Sequence, residues 1–149
     1  MNIRSAIASD VKYIHELIMD SAEHERMLFR SMANIYENLQ AFIIAEDNGI
    51  IGCCALEVVW SDLAEIKSLA VAKDTRTQGV GTQLVEAALK MAEELGIEKV
   101  FALTLEPVFF NKAGFSEVPK STLPMKVWRD CALCPKQQHC DEVAVVRMV

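Results

Sequence analysis

The sequence predicts one α/β domain in which a mixed sheet is flanked by helices. An Asp47-Asn48-Gly49 turn joins two apolar runs, a typical signal for a β-hairpin. Further along, an apolar strand at 62–72 leads through a glycine-containing turn into an amphipathic helix, as in sheets with helical connections. A chain of 149 residues has the usual length of one domain and can bury a substantial core.

The first half of the chain is predicted to hold an edge strand, a helix and the hairpin. Residues 2–6 form the strand, and Ser9 and Asp10 cap a helix that runs to about residue 25. The buried side of this helix carries apolar residues at helical spacing: Val11, Ile14, Leu17, Ile18 and Ala22. A mixed helical connection over 26–40 then leads to the hairpin strands at 41–46 and 50–59.

The second half is predicted to contain a long helix over 79–95, which ends at Gly96. Its apolar face comprises Leu84, Val85, Ala88, Leu89, Ala92 and Leu95. A strand at 99–105 and a short helix at 107–113 follow, and a strand at 142–148 closes the domain. Prolines at 119, 124 and 135 predict an irregular segment before that last strand.

Composition excludes several classes of function. The net charge of −6 comes with no basic block, so nucleic acid is not an expected partner. Hydrophobic residues make up 52% of the chain but occur in short runs, which argues against a membrane span. The first residues show no export signal, and five cysteines are an odd number, two of them adjacent in an apolar strand. These features predict a reduced cytoplasmic protein.

The turn before the long helix has the chemistry of an anion site. It reads Arg76-Thr77-Gln78-Gly79-Val80-Gly81, and its glycines let backbone N–H groups at a helix N-terminus approach a phosphate. Leu84 stands where the dinucleotide fingerprint has its third glycine, and no Gly-Lys-Ser/Thr follows. The alternative is a tight strand-to-helix turn without a ligand.

Three motifs resemble the GNAT family of N-acetyltransferases over nearly the whole chain. They are Arg/Gln-x-x-Gly-x-Gly/Ala at 76–81, Asn111-Lys112-Ala113-Gly114-Phe115, and Ala64-Glu65-Ile66 in the preceding strand. The resemblance implies a mostly antiparallel GNAT sheet and acetyl-CoA as co-substrate. It implies cofactor contacts from these residues: Leu69, Ala70, Val71, Arg76, Thr77, Gln78, Gly79, Val80, Gly81, Thr82 and Asn111.

The strand at 62–72 is predicted to carry the catalytic base. A two-residue period puts Glu65, Lys67, Leu69 and Val71 on one face, and Glu65 resembles the glutamate that family members use to deprotonate the amine. The alternatives for Glu65 are a solvated carboxylate and a partner of Lys67. Many relatives have a tyrosine that acts as general acid at the position of Phe110 in this chain. A phenyl ring cannot donate a proton. The thiolate then leaves unassisted or through water.

The C-terminal third contains the runs Val118-Pro119-Lys120, Leu123-Pro124, Lys126-Val127-Trp128 and Cys131-x-x-Cys134-Pro135. These runs resemble short single-domain N-acetylglutamate synthases, which implies L-glutamate as the acceptor and a place in arginine biosynthesis. A dianionic amino acid needs cations for its carboxylates. The candidates are Lys67, Arg26, Arg30 and Lys126, with Arg129 next. An acetyltransferase for another amine, such as a protein N-terminus, stays open, as do a non-catalytic acyl-CoA sensor and a homodimer.

A Cys131-x-x-Cys134 pair near His139 and Cys140 suggests zinc only weakly. Zinc takes four ligands, and here the third and fourth would be adjacent in sequence. The prediction is therefore structural thiols and no metal site.

Overall fold

The computed structural model describes residues 1–23, 29–75, 78–123 and 142–149. The helices are α1 (Val11–Glu23), α2 (Met32–Glu37), α3 (Val80–Glu94) and α4 (Pro107–Lys112). The strands are β1 (Asn2–Ser5), β2 (Phe42–Glu46), β3 (Ile50–Trp60), β4 (Leu63–Val71), β5 (Lys99–Thr104), β6 (Ser116–Val118) and β7 (Val143–Met148).

The strands form one seven-stranded sheet in the order β1-β2-β3-β4-β5-β7-β6. Among the described strands, β4 and β5 are the one parallel pair, and all other neighbours are antiparallel. The predicted mixed, mostly antiparallel sheet is confirmed, and β1 lies at its edge as expected.

The β2–β3 hairpin follows the predicted turn. Asn48 and Gly49 have φ values of 55° and 116°, which only a few residue types adopt readily. The Asp47 N–H donates to the Gly49 carbonyl at 2.8 Å and closes the turn. The local chemistry of three residues therefore sets the register of the two strands.

Helices cover both faces of the sheet. On one face, α3 buries most of its predicted stripe, namely Leu84, Val85, Ala88, Leu89 and Ala92, against the β2–β5 region. On the other face, α1 buries Val11, Ile14 and Ile18 against Phe42, Ile44 and Cys53. The prediction that Leu95 belongs to the buried face of the helix was wrong. Leu95 is the C-cap of α3 and is 57% exposed, because the helix ends before that turn reaches the core.

The start of α1 differs slightly from the prediction. A 3₁₀ turn at Ala8–Asp10 precedes the helix, and the Asp10 carboxylate accepts the Ile7 N–H at 2.8 Å. Ile7, rather than the predicted Ser9 or Asp10, is therefore the N-cap, and Asp10 accepts its N–H from the third position of the turn. Arg4 also binds the same carboxylate at 2.8 Å, an attachment to β1 that no local pattern indicated.

A short strand that was not predicted from the sequence follows α4. This strand, β6, pairs with β7 from Ser116–Val146 to Val118–Ala144, and a 3₁₀ turn follows at Lys120–Thr122. Its three residues become a strand through pairing rather than through their own pattern. Residues 124–141, which hold two of the three prolines of the predicted irregular segment, lie outside the described residues.

The high hydrophobic content is accounted for by core packing on both sides of the sheet. Within the described ranges, no helix has both the length and the apolar character needed to cross a bilayer.

Candidate active site

The sheet opens between β4 and β5. Their pairing covers Leu63–Lys99, Ala64–Val100 and Glu65–Phe101, yet β4 continues to Val71 and β5 to Thr104. Beyond Glu65, the described parts of the two strands no longer pair with each other. The opening therefore lies at the carboxyl ends of the two parallel strands, where α/β sheets commonly bind ligands.

A β-bulge distorts β4 beside this opening. Lys67 pairs with Ala55 and Ala70 with Cys53, so two residues, Ser68 and Leu69, lie opposite the single residue between them on β3. Ser68 has φ of 54°, a left-handed conformation that is uncommon for a residue other than glycine. Strained backbone of this kind gathers at functional sites.

The bulge overturns the predicted face of β4. Leu69 and Val71 pack against the core on the α3 side, whereas Lys67 pairs with Ala55, which belongs to the core on the α1 side. The extra residue at the bulge shifts the alternation by one position. Leu69 and Val71 therefore do not share the face of Glu65 and Lys67.

Glu65 is a buried carboxylate. It is 5% exposed, and its Oε1 lies 3.8 Å from Nζ of Lys67. Of the two alternatives raised for Glu65, the solvated carboxylate is wrong and the partner of Lys67 is present. Glu65 is thus a desolvated carboxylate beside Lys67 and the opening between β4 and β5. A carboxylate in such a position is suited to accept a proton from a bound amine.

Glu57, on β3 directly opposite Glu65, joins the cluster. Its Oε1 lies 3.9 Å from Nζ of Lys67, and its Oε2 accepts a 2.8 Å hydrogen bond from Arg30. Lys67 therefore lies between two carboxylates. We call Arg30, Glu57, Lys67 and Glu65 the charged cluster.

Arg30 connects the segment before α2 to the bulge. It donates to Oδ1 of Asn34 at 2.8 Å and to Oγ of Ser68 at 3.1 Å, and its guanidinium lies 5.1 Å from the centre of the Phe42 ring. It also binds Glu57, and its side chain is only 11% exposed. The structure thus brings Arg30 and Lys67 together with Glu65.

The predicted anion loop begins α3 as expected. Gly79 is the N-cap with φ of 78°, and no described atom lies within 4 Å of the position that a Cβ would take there. The first N–H groups of a helix have no partner within the helix. Gly79 therefore provides both the backbone turn and the open space that a diphosphate needs.

Positions 80 and 81, which follow Gly79, both have a role in core packing. The Val80 side chain is 1% exposed and packs in the core, so that only its backbone could face a phosphate. A Cβ on Gly81 would lie 3.3 Å from Cζ of Phe109 on α4, so its small size also serves packing. Arg76 and Thr77 lie outside the described residues.

Phe110 is a core residue. It is 5% exposed and packs edge-to-face between Phe109 and Phe115, with ring centroids at 5.2 and 5.1 Å. Phenylalanine has no proton to donate, so Phe110 cannot act as a general acid. Its buried ring contributes to core packing instead. Asn111, on the same helix, is exposed.

The adjacent cysteines of β3 are both buried. Burial raises the pKa of Cys53 to about 12 and that of Cys54 further, because a thiolate would be desolvated there. These thiols are therefore inert core residues.

Several predicted residues lie outside the part of the chain that the structure describes. These are Arg26, Lys126, Arg129, Cys131, Cys134, His139 and Cys140. Within the described part, no group of three or more His, Cys, Asp or Glu side chains could hold a metal ion.

Glu57 and Ser68 were not predicted from the sequence as residues of the site. Pairing outward from a tight turn centred on Ser61 would have put Glu57 opposite Glu65, which is the observed register. No comparable signal marked Ser68, because a bulge is a property of two paired strands.

An open strand end, a helix N-terminus suited to phosphate and a buried carboxylate define a site for group transfer from a phosphate-bearing donor. The sequence model of the acetyltransferase (GNAT) family matches residues 10–115, and the chain belongs to that family. It is an acetyltransferase whose co-substrate is acetyl-CoA.

Two curated relatives resemble the chain over most of its length. An uncharacterised N-acetyltransferase of Chlorobaculum tepidum is 42% identical over 97% of this chain and 94% of its own. An amino-acid acetyltransferase of Mycobacterium tuberculosis is 35% identical over 85% of this chain and 74% of its own.

Two solved structures share the fold. A Mycobacterium tuberculosis protein in complex with CoA and a second ligand has a TM-score of 0.87 at 28% identity, covering 100% of this chain and 99% of its own. N-acetylglutamate synthase of Neisseria gonorrhoeae, complexed with coenzyme A and N-acetyl-glutamate, has a TM-score of 0.88 at 27% identity. The match covers 99% of this chain and 34% of the synthase.

Proposed function

We propose that this enzyme transfers the acetyl group of acetyl-CoA to the α-amino group of L-glutamate, forming N-acetylglutamate for arginine biosynthesis. The observation that carries the proposal is the buried Glu65 carboxylate with Lys67 and Arg30 beside the opening of the sheet. Among the similar proteins, the amino-acid acetyltransferase supports an amino-acid acceptor, and the synthase complexed with N-acetyl-glutamate supports glutamate as that amino acid.

The donor is held at the opening between β4 and β5. Backbone N–H groups at 76–82, around the left-handed Gly79, bind the diphosphate, and the positive end of the α3 dipole adds to the attraction. The β4 backbone at 69–71 faces the thioester carbonyl and polarises it, and Asn111 contacts the pantetheine amides.

Glu65 performs the proton transfer. The ammonium of the acceptor loses a proton to the Glu65 carboxylate, directly or through one water, and the free amine attacks the thioester carbonyl carbon. The new C–N bond replaces the C–S bond, and the sulfur leaves as a thiolate. The nitrogen loses its second proton to water, the thiolate takes a proton from water, and Glu65 returns its proton to solvent, so that one proton is released overall. Phe110 has no part in this step, since its ring is in the core.

Arg30 and Lys67 bind the carboxylates of the acceptor. Lys67 lies 3.8 Å from Glu65, and Arg30 binds Glu57, which is opposite Glu65 on β3. Arg30 also offers the planar donor fork that suits a carboxylate. Arg26 and Lys126 complete the proposed acceptor site. The buried, unoxidised Cys53 and Cys54 fit the reducing cytoplasm in which such an enzyme would act.

The test is to incubate the purified chain with acetyl-CoA and each amino acid in turn, with a peptide N-terminus and polyamines alongside, and to record thiol release. L-glutamate should give the highest kcat/KM. Higher kcat/KM with a neutral or cationic amine would contradict the acceptor assignment and leave the acetyltransferase assignment intact. CoA binding without thiol release from any amine would indicate a sensor.

A further inference from the structure

The charged cluster contains a carboxylate with no role in the reaction described above. Glu57 accepts from Arg30 at 2.8 Å and lies 3.9 Å from Nζ of Lys67. Both described cations assigned to the acceptor are therefore already next to a protein carboxylate.

We propose that Glu57 determines the charge of the acceptor, because its carboxylate occupies the position on Arg30 and Lys67 that an acceptor carboxylate takes. This inference rests on the proposed function, since it assumes that these cations bind the acceptor. The two described cations and two described carboxylates of the cluster have formal charges that sum to zero, and an acceptor carboxylate that binds Arg30 and Lys67 competes with Glu57 for them.

The contacts of the cluster permit that exchange. Arg30 keeps its position without Glu57, because Asn34, Ser68 and the Phe42 ring hold it separately. The contacts of Lys67 with Glu57 and Glu65, at 3.9 and 3.8 Å, are longer than hydrogen bonds. The Glu57 side chain is 18% exposed, which leaves it a path towards solvent when an acceptor binds.

The experiment compares Glu57→Gln with wild type. Glutamine preserves the shape of the side chain and one acceptor oxygen for Arg30, but it makes the cluster net positive. The KM for L-glutamate should fall about tenfold, the scale of one charge contact, while the KM for acetyl-CoA stays the same. An equal fall for L-glutamine assigns the contact to the α-carboxylate, and a fall for L-glutamate alone assigns it to the side chain.

Two further variants separate this role from a structural one. Glu57→Asp keeps the charge and should not lower the KM. Glu46→Gln removes the same charge from another arginine-bound carboxylate, at the β1–β2 edge, and should leave the KM unchanged. An unchanged or raised KM in Glu57→Gln, or an equal fall in the aspartate variant, would overturn the proposal.

A failure of the proposed function would look different. Wild type would then release thiol with some other amine and not with glutamate. Glu57→Gln should in that case still lower the KM for amines that bear a carboxylate and raise it for cationic amines that lack one. If neither KM changed, the role of Glu57 would be refuted on its own.

Discussion

Two arginine-centred clusters on the same sheet are built in different ways. At the edge, Arg4 donates to both oxygens of Asp10, at 2.8 and 3.1 Å, and to both oxygens of Glu46, at 3.1 Å each. In the charged cluster, the carboxylate that Arg30 binds among the described residues is Glu57, at 2.8 Å, and Lys67 lies near Glu57 and Glu65 at 3.9 and 3.8 Å. The described contacts of Lys67 are therefore longer than the four hydrogen bonds that Arg4 donates to Asp10 and Glu46.

This difference separates a structural ion pair from a site. The Arg4 hydrogen bonds lower the pKa of both Asp10 and Glu46, as expected when a carboxylate is held in its charged form. Lys67, which contacts Glu57 and Glu65 at nearly 4 Å beside the strand opening, can exchange one carboxylate for another at smaller cost than Arg4 can. Variants in the two clusters should therefore change different quantities, stability in one and turnover in the other.

The largest effect is expected from Glu65→Gln. Loss of the positioned base should lower kcat by roughly 10²- to 10⁴-fold, with CoA affinity unchanged, and should abolish the acidic limb of the pH–rate profile. Steady-state kinetics measure kcat and its pH profile, and calorimetry measures the CoA affinity. Glu46→Gln is the matched control, and a Glu65→Gln enzyme within threefold of wild type would assign the proton transfer to solvent or another group.

Lys67→Met should act next most strongly, on the acceptor. It leaves an acceptor carboxylate without its cation and should weaken glutamate binding by about 2–5 kcal/mol, seen as a higher KM, while the KM for acetyl-CoA changes little. Lys99→Met, an exposed lysine at the start of β5, removes the same charge away from the cluster. Equal glutamate KM values in the two variants would exclude Lys67 from the acceptor site.

The donor site can be tested with the two glycines that flank α3, which have nearly equal φ angles. Gly79 and Gly96 have φ of 78° and 76°, and at neither residue does a described atom lie within 4 Å of the point where a Cβ would sit. Gly79→Val should weaken CoA binding by about 1.5–3 kcal/mol, since it blocks close approach of the diphosphate to charge-assisted donors. Gly96→Val carries similar backbone strain without a ligand. Equal CoA affinities by calorimetry would contradict the phosphate assignment.

Asp10→Asn should give the smallest effect on activity and a clear one on stability. It removes the Arg4 ion pair and should lower the free energy of unfolding by about 2 kcal/mol, with KM and kcat unchanged at temperatures where the variant is folded. Chemical denaturation measures the first and steady-state kinetics the second. A fall in kcat at full folding would show that the edge cluster also serves the site.

The same pair predicts a pH dependence. The pKa of Asp10 in the folded protein lies below its usual value of 3.8. Its contribution to stability is therefore complete above that value and is lost as the pH falls through the lower folded-state pKa. The stability difference between wild type and Asp10→Asn should shrink below about pH 4. A difference that stays constant down to about pH 2 would contradict the assignment.

The sequence by itself determined the features that depend on residues close together along the chain. Apolar runs, the hairpin turn and helical spacing placed β2, β3, β4, α1 and α3 to within a few residues. Gly79 marked the turn before α3, because a left-handed backbone favours glycine. The three GNAT motifs sufficed for the family, since each is a short run with its own backbone requirement.

The tertiary structure decided what depends on pairing. The bulge at Ser68 moved Leu69 and Val71 to the opposite face, and only the register against β3 reveals it. Arg30, in the segment before α2, binds Glu57 on β3 although the two residues are 27 positions apart in sequence. Such contacts carry no local signal: backbone conformation follows from neighbouring residues, whereas the charge surrounding a side chain is set by whichever strands the fold brings together.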